Sequence, residues 1–419
     1  MTTGVTEPVA DEAPPPVAPS WPRRLLDAYR YGNTAVLTVL AFICALIIGA
    51  ILIALADQPT RSAMGYFFQS PGDTFSNAWS AISNGYINLF EGSIIDPSTF
   101  SSGNADTILY PISLTLFEAA PLILGGLGVG VAFRSGLFNI GGQGQIIAGA
   151  ICASYVGFAW NLPPFIHVVV AALAGIGGGA VWGGIAGALK ARTGAHEVIT
   201  TIMLNYVALY LLNYLLSVHG FQKGGSAQAV SRTIRGNARL PHLFGSGLPV
   251  NAGILIALAA AGGCWWLLAR STWGFSLRTV GANAAAARTA GMNVARNTMM
   301  VMVLAGALFG LAGVALSIGG TGTNITNSVD AGVGFDAITV ALLGRASPRG
   351  TVLAGLLFGA LKAGSFQMLA NSQVPVEVST VLESLIVLFI AAPALIQSIF
   401  RLRAARGGGV SQLAKGWNG

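Results

Sequence analysis

Apolar residues along the chain gather into long runs separated by short polar or glycine-rich breaks. Ten such segments can be drawn, at about 34–56, 111–133, 138–159, 166–189, 198–217, 250–269, 299–319, 334–344, 350–370 and 378–400. Most approach the ~20 residues that an α-helix needs to cross about 30 Å of hydrocarbon. The eighth is too short to span. It reads as a half-helix, which survives at membrane depth only inside protein or along a cavity. The pattern predicts an all-α polytopic membrane protein with about ten membrane helices, the eighth short or broken. Between the sixth and seventh segments, residues 270–297 hold a small-residue stretch whose only charges are basic. That is the layout of a cytoplasmic helix presented to a partner.

Composition agrees with this reading. The chain is 53% hydrophobic and 9% charged, with a mean hydropathy of +0.68, whereas soluble domains carry roughly 25% charged residues. Glycine occurs 56 times, and glycine lets helix backbones approach closely in lipid. The net charge of +7 does not point to nucleic acid. It fits Lys and Arg retained on the cytoplasmic side of a membrane. Cys44, Cys152 and Cys264 lie inside apolar runs without metal-ligand spacing, so they read as packing residues and no disulfide is expected. The first 20 residues are acidic and Pro-rich, which predicts disorder. Ala54-Leu55-Ala56 resembles a cleavage site, but the apolar run before it is too long and begins too late for a secretory signal. The expected organisation is a disordered cytoplasmic tail over 1–30, a transmembrane domain over 31–400, and a basic cytoplasmic tail over 401–419.

Orientation follows from the basic residues in the connections. With Arg23, Arg24 and Arg30 inside, alternation also puts Arg134, Lys190, Arg192, Arg270, Arg278, Arg288, Arg296, Arg345, Arg349 and the C-terminal tail inside. That is 16 of the 22 Lys and Arg, with five outside and Lys362 left within a span. The 57–107 connection carries Asp57, Asp73, Glu91, Asp96 and Asp106 against Arg61 alone, so it is placed outside. One loop resists the rule. Residues 219–248 hold Lys223, Arg232, Arg235 and Arg239 and no acid, yet fall outside. Either this loop has an external role or a helix before it is miscounted.

Polar groups inside the spans are the candidate chemistry. Gly136–Gln145 reads GLFNIGGQGQ and opens the third segment. Asn139, Gln143 and Gln145 could line a polar pathway, or could make the interhelical hydrogen bonds that amides also favour in membranes. Glu118 lies in the second segment between Pro111 and Pro121. An acid there should face protein or water, because it costs roughly 2.5–3.5 kcal/mol at a helix centre. Substrate hydrogen bonding and proton coupling compete with a plain helix-end carboxyl, and Asp336 and Glu383 pose the same question. In HEVITTIMLNY over 196–206, Glu197 reads as a helix-start acid, while Asn205 suits a pathway or packing equally. Adjacent His196 and Glu197 lack the second His of a zinc motif. Gly344–Gly350 (GRASPRG) reads as an inner basic turn. The glycines of 319–323 and 332–334 flank Asp330, and such breaks at membrane depth usually line a cavity. No Gly-x-x-x-x-Gly-Lys-Ser/Thr occurs, so no P-loop is available, and neither a catalytic set nor a metal cluster can be assembled.

Taken in order, GLFNIGGQGQ, HEVITTIMLNY, RTVGANAAAARTAGMNVARN with its trailing LAGALFGLAG, and GVGFDAITVALLGRASPRG resemble a known family. It is the membrane permease subunit of bacterial ABC importers for nucleosides and simple sugars, a group that includes ribose and branched-chain amino acid permeases. The resemblance covers roughly 105–400, and the external segment after the first helix resembles the larger of two paired nucleoside permeases. The family usually has an acid where Gln143 stands. The resemblance implies a bacterial plasma (inner) membrane protein that is not itself an enzyme. It makes about 279–293 a coupling helix docking on an ATPase, with Arg278, Gly281, Ala286, Arg288 and Gly291 at that contact. Glu118, Asn139, Gln143, Gln145 and Asn205 would line the substrate pathway. Further implications are no cofactor on this chain, ATP used by a cytoplasmic ABC ATPase, a second permease in a heterodimer, and an extracytoplasmic substrate-binding lipoprotein. The lipid bilayer is a partner and nucleic acid is not. The expected function is a nucleoside permease. The alternatives are a permease for ribose-like sugars or, in a different class, a proton-coupled secondary transporter working through Glu118 or Glu383.

Overall fold

The computed structural model describes residues 34–401 apart from Ala227. The expected tails over 1–30 and 401–419, with Arg23, Arg24, Arg30 and Lys415, therefore lie outside the described residues, save Arg401. The described chain is helical, and its only β pairing is isolated bridges such as Gln222 with Ser231. It begins with α1 (Thr34–Ala56), α2 (Gln58–Met64), α3 (Pro71–Ser93), α4 (Ala105–Arg134) and α5 (Gly142–Ala159). It continues through α6 (Pro164–Thr193), α7 (Glu197–Leu215), α8 (Gly253–Arg270), α9 (Thr272–Ala282) and α10 (Ala284–Thr289). The last elements are α11 (Val294–Ser317), α12 (Val333–Leu343), α13 (Pro348–Ser372), α14 (Val376–Ala391) and α15 (Pro393–Ile399).

The protein is an all-α polytopic membrane protein, but the ten predicted segments are not ten equal spans. Seven helices, α1, α4, α6, α7, α8, α11 and α13, are long and apolar enough to cross a membrane. The half-helix expected at 334–344 is α12, with 11 residues. The 138–159 segment becomes helical only at Gly142, leaving 18 residues in α5. The 378–400 segment breaks at Ala392 (φ −113°, ψ 68°), next to Pro393, because proline drives its preceding residue out of helical geometry.

Sequence periodicity also missed α3, inside the presumed external 57–107 segment. It carries Asp73 and Glu91, so no long apolar run marks it. It nevertheless packs on the bundle. Gly92 lies against Gln367 and Gly364 of α13, the Tyr86 hydroxyl donates to the Leu46 carbonyl of α1 (2.5 Å), and Ser93 accepts from Thr115 Oγ1 within α4 (2.5 Å). The segment therefore enters the bundle and comes back out.

At the centre lies α4, with 78% of its most apolar window buried, against 22% for each of α1, α6 and α7. Glycine makes a close seam between α6 and α11. Gly175, Gly179 and Gly183 of α6 meet Gly306 and Gly310 of α11, and a Cβ on Gly179 would collide with the Gly306 carbonyl oxygen. In lipid, where apolar burial does not drive helices together, such backbone-on-backbone packing supplies the dispersion contact.

The two ends of the bundle are distinct. At one, Arg134 Nε donates to the Ala346 carbonyl (2.7 Å), and Gly281 rests on the Arg134–Gly136 turn. At the other, where α4 begins, Asp106 lies against Gly247 and Ser113 Oγ accepts from the Val250 amide (3.0 Å). The basic 219–248 loop thus sits opposite the 270–293 segment.

Candidate functional site

The chain enters the bundle after Arg134 as a non-helical stretch, so α5 starts beneath neighbouring helices with its first amides free. Three of the amide residues singled out in the sequence close that gap. Asn139 and Gln145 pair side chain to side chain in both directions (3.0 and 3.1 Å), and Asn139 Oδ1 accepts from the Gly141 amide (3.0 Å). From α7, Asn205 Oδ1 accepts from the Gly144 amide (2.9 Å) and its Nδ2 donates to the Ile140 carbonyl (2.9 Å). All three side chains are buried. Their hydrogen-bonding groups are committed to each other and to backbone.

Gln143 and Glu118 face a different place. α12 begins beside α5, with Gly334 against the Gln143 backbone. The turn before it holds Ala331 (φ 46°) and Gly332 (φ 78°) in left-handed geometry. Glycine fits this region without strain, whereas alanine adopts it at a cost. Lys362 of α13 donates to the Ala331 carbonyl (3.2 Å) and pairs with Glu118 of α4 (3.4 Å). The Gln143 side chain reaches the Asp330 carboxylate. Asp336, in the first turn of α12, lies within Coulombic reach of Lys362 and Asp330. Glu383 of α14 lies within reach of Asp336 and Lys362. One ammonium, on α13, is therefore paired with Glu118 of α4 and lies within Coulombic reach of Asp330, Asp336 and Glu383, on the turn before α12, on α12 and on α14. Sequence reasoning leaves Lys362 stranded in a span and gives it no role. An unpaired cation inside a membrane helix is the signal that could have found it.

The basic 219–248 loop has a structural task that explains its charge. Helix C-termini leave carbonyls without partners, and cations suit them. Arg239 donates to the carbonyls of Gly320, Thr321 and Gly322 after α11. Arg235 Nε donates to Phe158 at the end of α5 (3.3 Å), and the Arg232 guanidinium lies over the Phe158 ring. The Ile234 amide donates to the Thr323 carbonyl (2.8 Å) and the Ser231 amide to the Ile325 carbonyl (3.0 Å). The loop clasps the 318–325 segment that leads down to α12.

At the opposite end, the single coupling helix expected over 279–293 is two helices. Asn283 (φ −159°, ψ 102°) ends α9 and caps α10, its side chain accepting from the Ala286 amide (2.9 Å). Asparagine competes with the helix for its own backbone partners, which is why the alanine run breaks there. Gly281 allows α9 to lie directly on the 134–136 turn. Gly291 does turn the chain, at φ 80°. Ala282, Ala284, Ala285, Ala286, Arg278 and Arg288 are exposed. Nearby, Lys190 of α6 pairs with Glu197 of α7 (2.6 Å).

Comparison with known proteins places this architecture. Residues 112–391 match the family model described as "Branched-chain amino acid transport system / permease component". The guanosine ABC transporter permease protein of Bacillus subtilis is 41% identical over 290 residues, covering 68% of this chain and 82% of that protein. A nucleoside ABC transporter permease protein of Lactococcus lactis is 35% identical over 295 residues, covering 68% and 80%. A glucose ABC transporter permease protein of Haloferax volcanii is 33% identical over 381 residues, covering 88% and 89%. No solved structure matches. With two thirds of its length inside the family model, this chain belongs to the permease components of ABC importers, membrane subunits that do not themselves hydrolyse ATP.

Proposed function

We propose that this chain forms half of the translocation pathway of an importer for nucleosides, with both termini on the cytoplasmic side of a bacterial plasma membrane. The observation that carries the reading is the charged patch around Lys362, reached by two helices, α5 and α12, that begin inside the bundle. Broken helices meeting at membrane depth are how transporters bring backbone and side-chain polarity to a substrate. The nucleoside assignment draws on the guanosine and nucleoside relatives. Ribose-like sugars are the second reading, favoured by the glucose relative, which matches the larger share of this chain. Family membership leaves no need for a proton-coupled secondary transporter.

The partners follow from surfaces. An ATPase subunit docks on α9 and α10, where exposed alanines and Arg278 and Arg288 offer a close, basic, acid-free contact. ATP binds on the ATPase subunit and not on this chain, which carries no cofactor. A second permease covers the patch, because the Lys362 side chain is 21% exposed, and an ammonium in a span does not face lipid. An extracytoplasmic substrate-binding lipoprotein docks at the opposite end, on the 57–107 and 219–248 segments. Nucleic acid has no role.

The test is Ala286→Glu in proteoliposomes holding the assembled importer. The third position of a helix favours an acid, so α10 still forms, while the docking face gains bulk and an unpaired charge. ATP-dependent uptake of guanosine and co-purification of the ATPase should both be lost, with the permease still inserted. Retention of both would remove this surface from the coupling path.

A further inference from the structure

We propose that a cavity between α9 and the start of α11 holds the phosphate of an anionic phospholipid, a site that goes beyond the importer reading and does not depend on the substrate carried. The cavity measures about 350 Å³ and is lined by Trp273 and Ser276 of α9, by Asn293 at the cap of α11, and by Arg296, Asn297 and Met300 of α11. Its lining is rich in donors. Asn297, only 9% exposed, donates from Nδ2 to Ser276 Oγ (2.7 Å) and so ties α11 to α9. Asn293 Oδ1 accepts from the Arg296 amide (2.9 Å). The Arg296 guanidinium, the Trp273 indole N–H and the Asn293 Nδ2 make no hydrogen bond or ion pair among the described residues. No carboxylate lines the cavity, and residues 270–297 carry Arg270, Arg278, Arg288 and Arg296 without an acid. Guanidinium and indole N–H groups only donate, so their complement is an acceptor-rich anion, and a guanidinium matches the oxygens of a phosphate. The position selects a lipid over a soluble phosphate. The cavity lies where α8 ends at Arg270 and α11 begins at Val294, and both helices are long and apolar enough to span. That is headgroup depth, where tryptophan also settles and where basic pockets between helices hold anionic lipids. Met299 and Met300, already inside the span, are 41% and 38% exposed and offer apolar surface to the acyl chains. The cavity is distinct from the ATPase surface. Trp273 and Ser276, three residues apart, share one face of α9, whereas Arg278 projects from another.

The experiment is native mass spectrometry of the assembled importer, its ATPase already docked, offered phosphatidylglycerol and phosphatidylcholine in equal amounts. The wild type should retain phosphatidylglycerol in preference. Arg296→Gln should weaken that retention about 10-fold or more, as losing a hydrogen bond to a charged group does. Arg270→Gln, at an exposed arginine outside the lining, should keep it. Arg296→Lys retains the charge without the two-pronged geometry and should fall between wild type and Arg296→Gln. Equal retention of the two lipids by the wild type, or equal losses in Arg296→Gln and Arg270→Gln, would overturn the site. Displacement of the lipid by inorganic phosphate would also overturn it, assigning the cavity to a soluble anion. If Arg296→Gln fails to assemble, Arg296→Lys and the wild-type comparison decide. No substrate enters the measurement, so its outcome is separate from whether the importer carries nucleosides or sugars.

Discussion

At the scale of single residues, the polar groups inside the spans divide by what they hold. Asn205 serves two backbone groups of the α5 entry. Asn205→Leu should leave a buried amide and a buried carbonyl unsatisfied, costing about 1–3 kcal/mol for each. It should be read as lowered yield and earlier thermal unfolding in detergent, before any effect on transport is judged. Unchanged unfolding would return Asn205 to the pathway. Lys362 and Glu118 are partly buried, at 21% and 13% side-chain exposure. Lys362→Met should cost about 3–5 kcal/mol by stranding a charge, and adding Glu118→Gln should recover much of the loss. Additive losses in the double variant would show that the pair is not coupled. The sequence marked Asn139, Gln143, Gln145 and Asn205 as polar groups at membrane depth. It could not divide them, because an amide suits packing and pathway alike and the deciding partner of Asn205 lies some 60 residues away. Lys362 was visible for the same reason and uninterpreted for the same reason.

At the scale of elements, hydrophobic length made the long spans legible, and the break before Pro393 follows from local sterics. What stayed hidden was helix identity without hydrophobicity. α3 is amphipathic and earns its place only by contact with α1, α4 and α13. The division of α9 from α10 depends on one asparagine side chain turning back on the backbone, which alanine content alone conceals. Glycine is abundant everywhere, so composition does not say which glycines are contacts. Gly179 and Gly177 sit two residues apart in α6, yet a Cβ at Gly179 meets the α11 backbone and one at Gly177 meets nothing within 4 Å. Gly179→Val should therefore separate α6 from α11 and abolish stable expression, while Gly177→Val should be tolerated. Equal behaviour of the two, scored by size-exclusion profile in detergent, would contradict the seam.

At the scale of the whole molecule, the two ends can be told apart by labelling. With Cys44, Cys152 and Cys264 replaced, a cysteine at the exposed Thr233 should react with an impermeant thiol reagent on intact cells, and one at the exposed Ala286 should not. The opposite pattern would invert the protein and transfer the docking surfaces with it. The seam between α6 and α11 has a mechanical consequence. Backbone against backbone has no rotamers to exchange, so this pair can neither slide nor repack by small steps. It should behave as a stator, with alternation between outward and inward access made on the other flank, where α12, α13 and α14 carry Asp336, Lys362 and Glu383. Tying the stator to itself, with a short crosslink between cysteines at Gly184 and Val303, should leave the transport cycle turning.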